Sequence, residues 1–329
     1  MKVCHYAHSV DRIEGGHKFS IQNQRKALDK ANIDYTTDPQ DDYDILHVNL
    51  WLPPSIYRMK QARRNGKKIV AHGHSIEEDF KDSFRFSNYL APLFRRYLKY
   101  YYRHADLIIC VSEYTERVLN DWGFDNTTVI SNGIDTERFN GFKDRRQQAR
   151  DRHGLDGTAY FCVGSVFKRK GIETFIELAR RNPNREFIWF GAIFNSAIMQ
   201  RGTNSLVKDA PDNVIFTGFI DDIRDAYAAG DIFLYPTQEE THGMPAYEAA
   251  YCGKPIILRD IPAFRDAFED GHDCRKASNI EEFEEAMEEI EEDDKLREQL
   301  ETNAQETAGH HTLDNVGEEL KDAYERVLG

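Results

Sequence analysis

Short apolar runs alternate with longer amphipathic stretches along the whole chain. In the first half, residues 2–7, 44–49, 68–72, 107–112 and 128–131 read as strands. Residues 20–31, 54–64, 88–103 and 113–121 read as helices between them. The strands are nearly continuous apolar runs, as expected where a parallel sheet is covered on both faces. The second half repeats the grammar. Strands are predicted at 160–163, 187–191, 214–217, 232–235 and 255–258, and helices at 172–181, 222–229 and 245–251. Residues 136–157 are polar and carry no strand pattern, which predicts a boundary between domains 1–155 and 156–311.

Residues 281–294 hold ten acids in fourteen positions. Phe283, Ala286, Met287 and Ile290 fall at i, i+3, i+4 and i+7, so this is an amphipathic helix with a solvated acidic face. A last helical stripe runs through Val316, Leu320, Ala323, Tyr324 and Val327, and the segment 312–329 is expected to pack back on the first domain. Each half therefore predicts a doubly wound parallel α/β sheet. Ligands of such sheets bind outside the carboxyl ends of the strands, so two in tandem predict a central cleft and direct attention to the loops after strands.

Charge sharpens the picture. The net charge is −14, but residues 1–155 carry +4 and residues 156–329 carry −18; within the first domain, residues 58–103 carry +8. The acidic whole argues against a nucleic-acid binder, and the local basic patch suggests an anionic surface there. Five dispersed cysteines argue against a disulfide framework and fit a reducing cytosol. No apolar run reaches the roughly 18 residues of a membrane span, and the opening residues lack the pattern of a secretory signal.

Four loops carry candidate chemistry. Residues 235–248 leave a strand and open a helix. Pro245 suits the first helical position, Gly243 lets backbone approach a ligand, and the free N–H groups around Thr241, His242, Gly243 and Met244 make an anion site. A carboxylate at Glu248 can accept two ribose hydroxyls, and one at Glu240 can meet sugar hydroxyls. Residues 162–172 hold Ser165 and three consecutive cations, Lys168, Arg169 and Lys170, which could neutralise a diphosphate. The third loop, Glu14-Gly15-Gly16-His17, permits close backbone approach to a phosphate or sugar. The fourth, residues 70–80, places His72, His74, Glu77 and Glu78 just past a strand end, in a hydrogen-bonding rather than metal-binding role. Neither the dinucleotide fingerprint nor a P-loop occurs. Asp42-Tyr43-Asp44 precedes a strand and sits at no phosphate loop, so it carries no metal reading.

Together these loops resemble the retaining family-4 glycosyltransferases of the GT-B fold. Glu240 and Glu248 match the Glu-x7-Glu signature, Asn132-Gly133-Ile134-Asp135 the hinge motif, Lys170-Gly171 the phosphate loop and Gly15-Gly16 the N-terminal glycine pair. The resemblance implies two Rossmann-like domains facing a cleft, with a nucleotide-sugar donor held mostly by the second. Lys170 and the amides near Gly243 and Met244 would then hold the diphosphate, Glu248 the ribose, and Glu240 the transferred sugar or its phosphate. His74 matches the family's catalytic-site histidine, with His72 the runner-up. Where the family has an arginine after the loop glycine this chain has Ser165, and Arg169 or Lys168 is expected to supply the charge. No metal or other cofactor is implied.

Residues 74–80 and 88–94, with Phe187-Ile188-Trp189-Phe190-Gly191 and Arg259-Asp260-Ile261-Pro262, resemble more narrowly the small bacterial enzymes that add a second hexose to glucosyldiacylglycerol. That subgroup implies a hexosyltransferase using a UDP-linked donor, peripheral on the inner face of the cell membrane. Residues 84–104 interleave aromatics with Arg95, Arg96, Lys99 and Arg103, a composition suited to an anionic bilayer surface and equally to a helix packed on its own sheet. Transfer to a polyprenyl-linked or soluble saccharide, and a non-transferase such as a nucleotide-sugar epimerase or binding module, stand as the alternatives.

Overall fold

The computed structural model describes residues 1–10, 15–81, 87–193 and 203–329. The chain divides into two compact units. The first comprises residues 1–80, 88–134 and 311–329, and the second residues 81–87 and 135–310.

The first unit contains β1 (Lys2–Tyr6), α1 (Gly16–Lys30), β2 (Asp34–Thr36), β3 (Ile45–Val48), α2 (Pro53–Arg64), β4 (Lys68–Gly73), α3 (Glu77–Phe80), α4 (Ser87–Tyr102), β5 (Leu107–Cys110), α5 (Glu113–Asp121) and β6 (Thr127–Val129). Its sheet is wholly parallel, in the order β2-β1-β3-β4-β5-β6. One face is sealed by a core that includes Leu46, Ile69, Ile108, Leu98 and Tyr102. The other is sealed by Val3, Ile45, Val70, Ile109 and the stripe Val316, Leu320, Ala323 and Tyr324.

The second unit contains α6 (Arg146–His153), β7 (Ala159–Val163), α7 (Ile172–Arg181), β8 (Glu186–Phe190), α8 (Thr203–Lys208), β9 (Val214–Gly218), α9 (Arg224–Ala229), β10 (Ile232–Tyr235), α10 (Met244–Tyr251), β11 (Ile256–Arg259), α11 (Pro262–Arg265), β12 (Arg275–Ala277), α12 (Ile280–Glu292) and α13 (Asp294–Gly309). Its parallel sheet runs β12-β11-β10-β7-β8-β9. The strand order reverses between β7 and β10, and crevices at such reversals are where doubly wound sheets bind ligands.

The final helix α14 (Leu313–Leu328) returns to the first unit and packs on α1, so closely that a Cβ at Gly317 would lie 2.5 Å from the carbonyl oxygen of Ala27. The units divide between Ile134 and Asp135, about twenty residues before the boundary expected near 155. The cause is α6. Its cations, with Arg145 before it, reach Asp225 (2.6 Å from Arg145) and Asp231 (2.6 Å from Arg146 and 2.9 Å from Arg150). This ties a helix with little apolar character to the second unit.

Candidate functional site

The loops after β7 and β10 flank the strand-order reversal in the second unit. After β7 the chain makes a short 3-10 turn, Lys168–Lys170, and enters α7 through Gly171. Gly171 has φ 82°, and a Cβ there would lie 2.1 Å from the carbonyl oxygen of Pro236. Only glycine lets the two loops approach this closely. The three cations then diverge. Lys168 turns to Glu173 at 2.7 Å, whereas Arg169 donates to the Glu239 carbonyl at 2.6 Å. Lys170 donates to Glu240 Oε1 and, at 3.1 Å, to the Tyr235 hydroxyl.

Glu240 is buried. Its Oε1 also accepts from the Tyr235 hydroxyl at 2.6 Å and the Thr237 hydroxyl at 3.0 Å. Burial pushes its carboxyl pKa up, but the charges of Lys170 and Arg169 and the hydrogen bonds from Lys170 and Tyr235 outweigh it and hold the group below its ordinary value. Three residues on, Gly243 caps α10 in the left-handed region at φ 79°, where a Cβ would meet the Phe264 ring at 2.5 Å. Pro245 lies in the first turn, which contains no acidic residue to offset the helix dipole. Thr241, His242 and Met244 lie on this loop, with the His242 ring stacked on Tyr247 at 4.5 Å.

Glu248 sits one turn into α10 and is buried. Its Oε2 accepts from the Tyr227 hydroxyl at 2.7 Å, and its Oε1 lies 3.6 Å from Arg138. Here burial wins over Arg138 and the Tyr227 bond, and the pKa is raised. The two carboxylates of the Glu-x7-Glu pair thus sit in opposed environments on one loop-helix unit. Tyr235, Thr237, Tyr227 and Arg138 are contributors that motif reading does not single out. Tyr227 and Arg138 reach Glu248 from 21 and 110 residues away along the chain, and no local pattern marks them. Ser165 lies half-buried on the loop after β7.

In the first unit, Gly15 caps α1 and Gly16 begins it, both exposed; Glu14 lies outside the described residues. His72 lies within β4, one residue before its end at Gly73 rather than past the strand, and His74 follows the strand; both are buried, with rings stacked at 4.1 Å. They join His47, His5, Gln24 and Tyr324 in one buried polar cluster. Glu77 is buried and lies 3.7 Å from Arg95, and Glu78 Oε2 is buried without a hydrogen-bond partner among the described residues. Asp42 pairs with Lys67 at 2.9 Å and Asp44 accepts from the Lys2 amide at 2.8 Å, so both acids of that Asp-x-Asp stretch serve local structure.

One face of α4 packs inward through Ala91, Leu98, Tyr101 and Tyr102. Tyr89 (84% exposed), Leu93 (62%), Arg96 and Arg103 follow one another at helical spacing on the outer face. Arg103 covers the Tyr100 ring at 4.1 Å and Arg95 lies over Trp122 at 5.3 Å; Lys99 is half-buried. Residues 84–86 of this segment lie outside the described residues. Among the described residues no helix is long and apolar enough to cross a membrane.

This fold and these motifs are those of a glycosyltransferase, and the comparisons agree. The sequence profile described as Glycosyltransferase Family 4 matches residues 5–138, and that described as Glycosyl transferases group 1 matches residues 144–307. The chain is 32% identical, over its whole length and 99% of the relative's, to the processive diacylglycerol alpha-glucosyltransferase of Acholeplasma laidlawii. It is 27% identical to the alpha-galactosylglucosyldiacylglycerol synthase of Streptococcus pneumoniae, over 86% of this chain and 77% of that one. Among solved structures, Anabaena HepE in complex with UDP-glucose superposes with a TM-score of 0.81 at 18% identity, covering 99% of this chain and all of that one. The chain belongs to the family-4 glycosyltransferases and has the GT-B fold.

Proposed function

We propose that the protein transfers a hexose from a UDP-linked donor to a glycosyl diacylglycerol-type lipid at a membrane surface, with retention of anomeric configuration and without a metal ion. The observation that carries this reading is the convergence of Arg169, Lys170 and the N-terminus of α10 around Glu240 at the strand-order reversal. It is a cationic, amide-rich site built for a diphosphate. The donor and acceptor classes draw support from the two glycolipid-synthesising relatives and from the UDP-glucose bound by HepE.

In this reading Lys170, Arg169 and the amides of Gly243 and Met244 stabilise the departing diphosphate, and Gly15 and Gly16 admit the donor beside α1. Glu248, oriented by Tyr227, accepts the ribose hydroxyls. Glu240, kept ionised by Lys170, faces the developing oxocarbenium ion or the hydroxyls of the hexose, and His74 hydrogen-bonds the sugar. The leaving phosphate takes the acceptor proton on the same face, which gives retention. The outer face of α4, with Tyr89, Leu93, Arg96 and Arg103, suits the boundary of an anionic bilayer.

The test supplies radiolabelled UDP-glucose and UDP-galactose with monoglucosyldiacylglycerol in anionic vesicles. Label entering the organic phase as a diglycosyl lipid with a retained anomer supports the reading. An inverted anomer, or label confined to water-soluble products, rejects it.

A further inference from the structure

The buried polar cluster of the first unit is directional. Arg25 donates through Nε to His5 Nδ1 at 3.4 Å, and a guanidinium can only donate. Burial, helped by the charge of Arg25, pulls the His5 pKa down to about 3, so the ring is neutral and its single proton sits on Nε2. That Nε2 donates to Gln24 Oε1 at 3.0 Å. The other end of the Gln24 amide, Nε2, therefore points at His72 Nε2 (3.3 Å) and His74 Nε2 (3.5 Å). One N–H of that amide goes to Ser20 Oγ at 3.1 Å, so the two ring nitrogens share the other; neither can donate to an amide nitrogen, and both therefore accept. His72 then carries its proton on Nδ1 and donates to His47 Nε2 at 3.2 Å, and His47 donates through Nδ1 to the Tyr324 hydroxyl at 2.7 Å.

The reverse direction fails at one point. It would turn the Gln24 amide over and set its N–H against the N–H of His5. Asn49 fits the forward direction as well. Its Oδ1 has no hydrogen-bond partner among the described residues, and turning that amide places the oxygen opposite His5 Nε2, 3.1 Å from the amide terminus.

The geometry points to Gln24 as a positioning residue: its amide, directed by Arg25 through His5, presents His74 protonated on Nδ1 with Nε2 accepting, so that His74 meets a sugar oxygen as a hydrogen-bond donor. This rests on the reading that His74 touches the sugar. A histidine fixed as one tautomer discriminates between a hydroxyl that must accept and one that must donate, which makes the Arg25–His5–Gln24 chain part of how the enzyme orients its hexose.

The experiment is nitrogen-15 NMR of the full chain labelled at histidine, with His72 and His74 assigned through single His→Gln variants. The wild type is expected to show His5 protonated on Nε2 and His72 and His74 protonated on Nδ1. Gln24→Glu replaces the donor with an acceptor and should move the His74 proton to Nε2. It should also lower kcat about 10- to 100-fold, the range for partners that orient a functional histidine, with little change in KM for the donor. Arg25→Met, at a half-buried position, should leave His74 as a mixture of tautomers, and Arg25→Lys, which keeps a donor, should restore most of the kcat. A wild-type His74 protonated on Nε2, or a Gln24→Glu enzyme with unchanged tautomer and kcat, overturns the inference. Normal turnover by His74→Ala would instead remove the reading it rests on, a result the NMR spectrum does not depend on.

Discussion

Lys170 and Glu240 form an almost dry ion pair, with side-chain exposures of 15% and 8%. Lys170→Ala leaves the Glu240 carboxylate with the Tyr235 and Thr237 hydroxyls and the more distant charge of Arg169. Breaking one side of a buried pair costs about 3–5 kcal/mol, because the remaining charge is uncompensated. In a second unit of this size each kcal/mol is worth about 2–4 °C, so the unfolding midpoint of that unit should fall by on the order of 10 °C. The Glu240 pKa, now dominated by burial, should rise. Lys170→Met with Glu240→Gln removes both charges and should recover most of the lost stability. It should not recover turnover, because the diphosphate still lacks its ammonium, a loss of about 3 kcal/mol of barrier or roughly a hundredfold in rate. Calorimetry and a radiolabel assay on the three proteins separate the effects. A stable Lys170→Ala protein, or an active double variant, refutes the reasoning.

Neutralising Arg96, Lys99 and Arg103 together removes about 1 kcal/mol per cation at an anionic surface, so vesicle partitioning, followed by sedimentation, should fall roughly a hundredfold. Tyr227→Phe should weaken UDP binding, measured by calorimetry, by about 1.5–3 kcal/mol, since Glu248 loses the hydrogen bond that orients it. Gly171→Ala forces a Cβ onto the Pro236 carbonyl in a left-handed backbone and should lower both the unfolding midpoint and UDP affinity. Lys254 is held by burial at a pKa of about 8, below its ordinary value, with its ammonium on the Gly230 carbonyl. The folded state therefore binds fewer protons than the unfolded one between about pH 8 and the ordinary lysine range near 10.4. Wild-type stability should rise across that window relative to Lys254→Met, by at most about 1.4 kcal/mol per pH unit.

The sequence reveals most where burial imposes a period. The bounds of α5, α7 and β10 coincide with those read from the apolar pattern, and α12 buries Phe283, Ala286, Met287 and Ile290 as the stripe requires. The edge strands β2 and β12 escape because each is three residues long and largely unburied. Helix α13 escapes because the residues it buries, Leu300, Ala304 and Ala308, are mostly too small to register as a hydrophobic stripe. The domain boundary shifts because α6 is fixed by long-range ion pairs rather than by apolar burial. At the site, Lys170, Arg169, Glu240, Gly243 and Glu248 are visible because strand-to-helix loops concentrate them. Tyr235, Tyr227 and Gln24 are not, because a buried hydroxyl or amide looks like any other core residue until its partner is located, and Arg138 is not, because it is one half-buried cation among many, 110 residues from Glu248 in the chain.

A structure of the protein with UDP bound tests the central claim most directly. The account predicts the diphosphate against the amides of Gly243 and Met244 with Lys170 Nζ on a phosphate oxygen, and the ribose hydroxyls on Glu248. A nucleotide seated elsewhere, with Lys170 still paired only to Glu240 and the start of α10 empty, would contradict it.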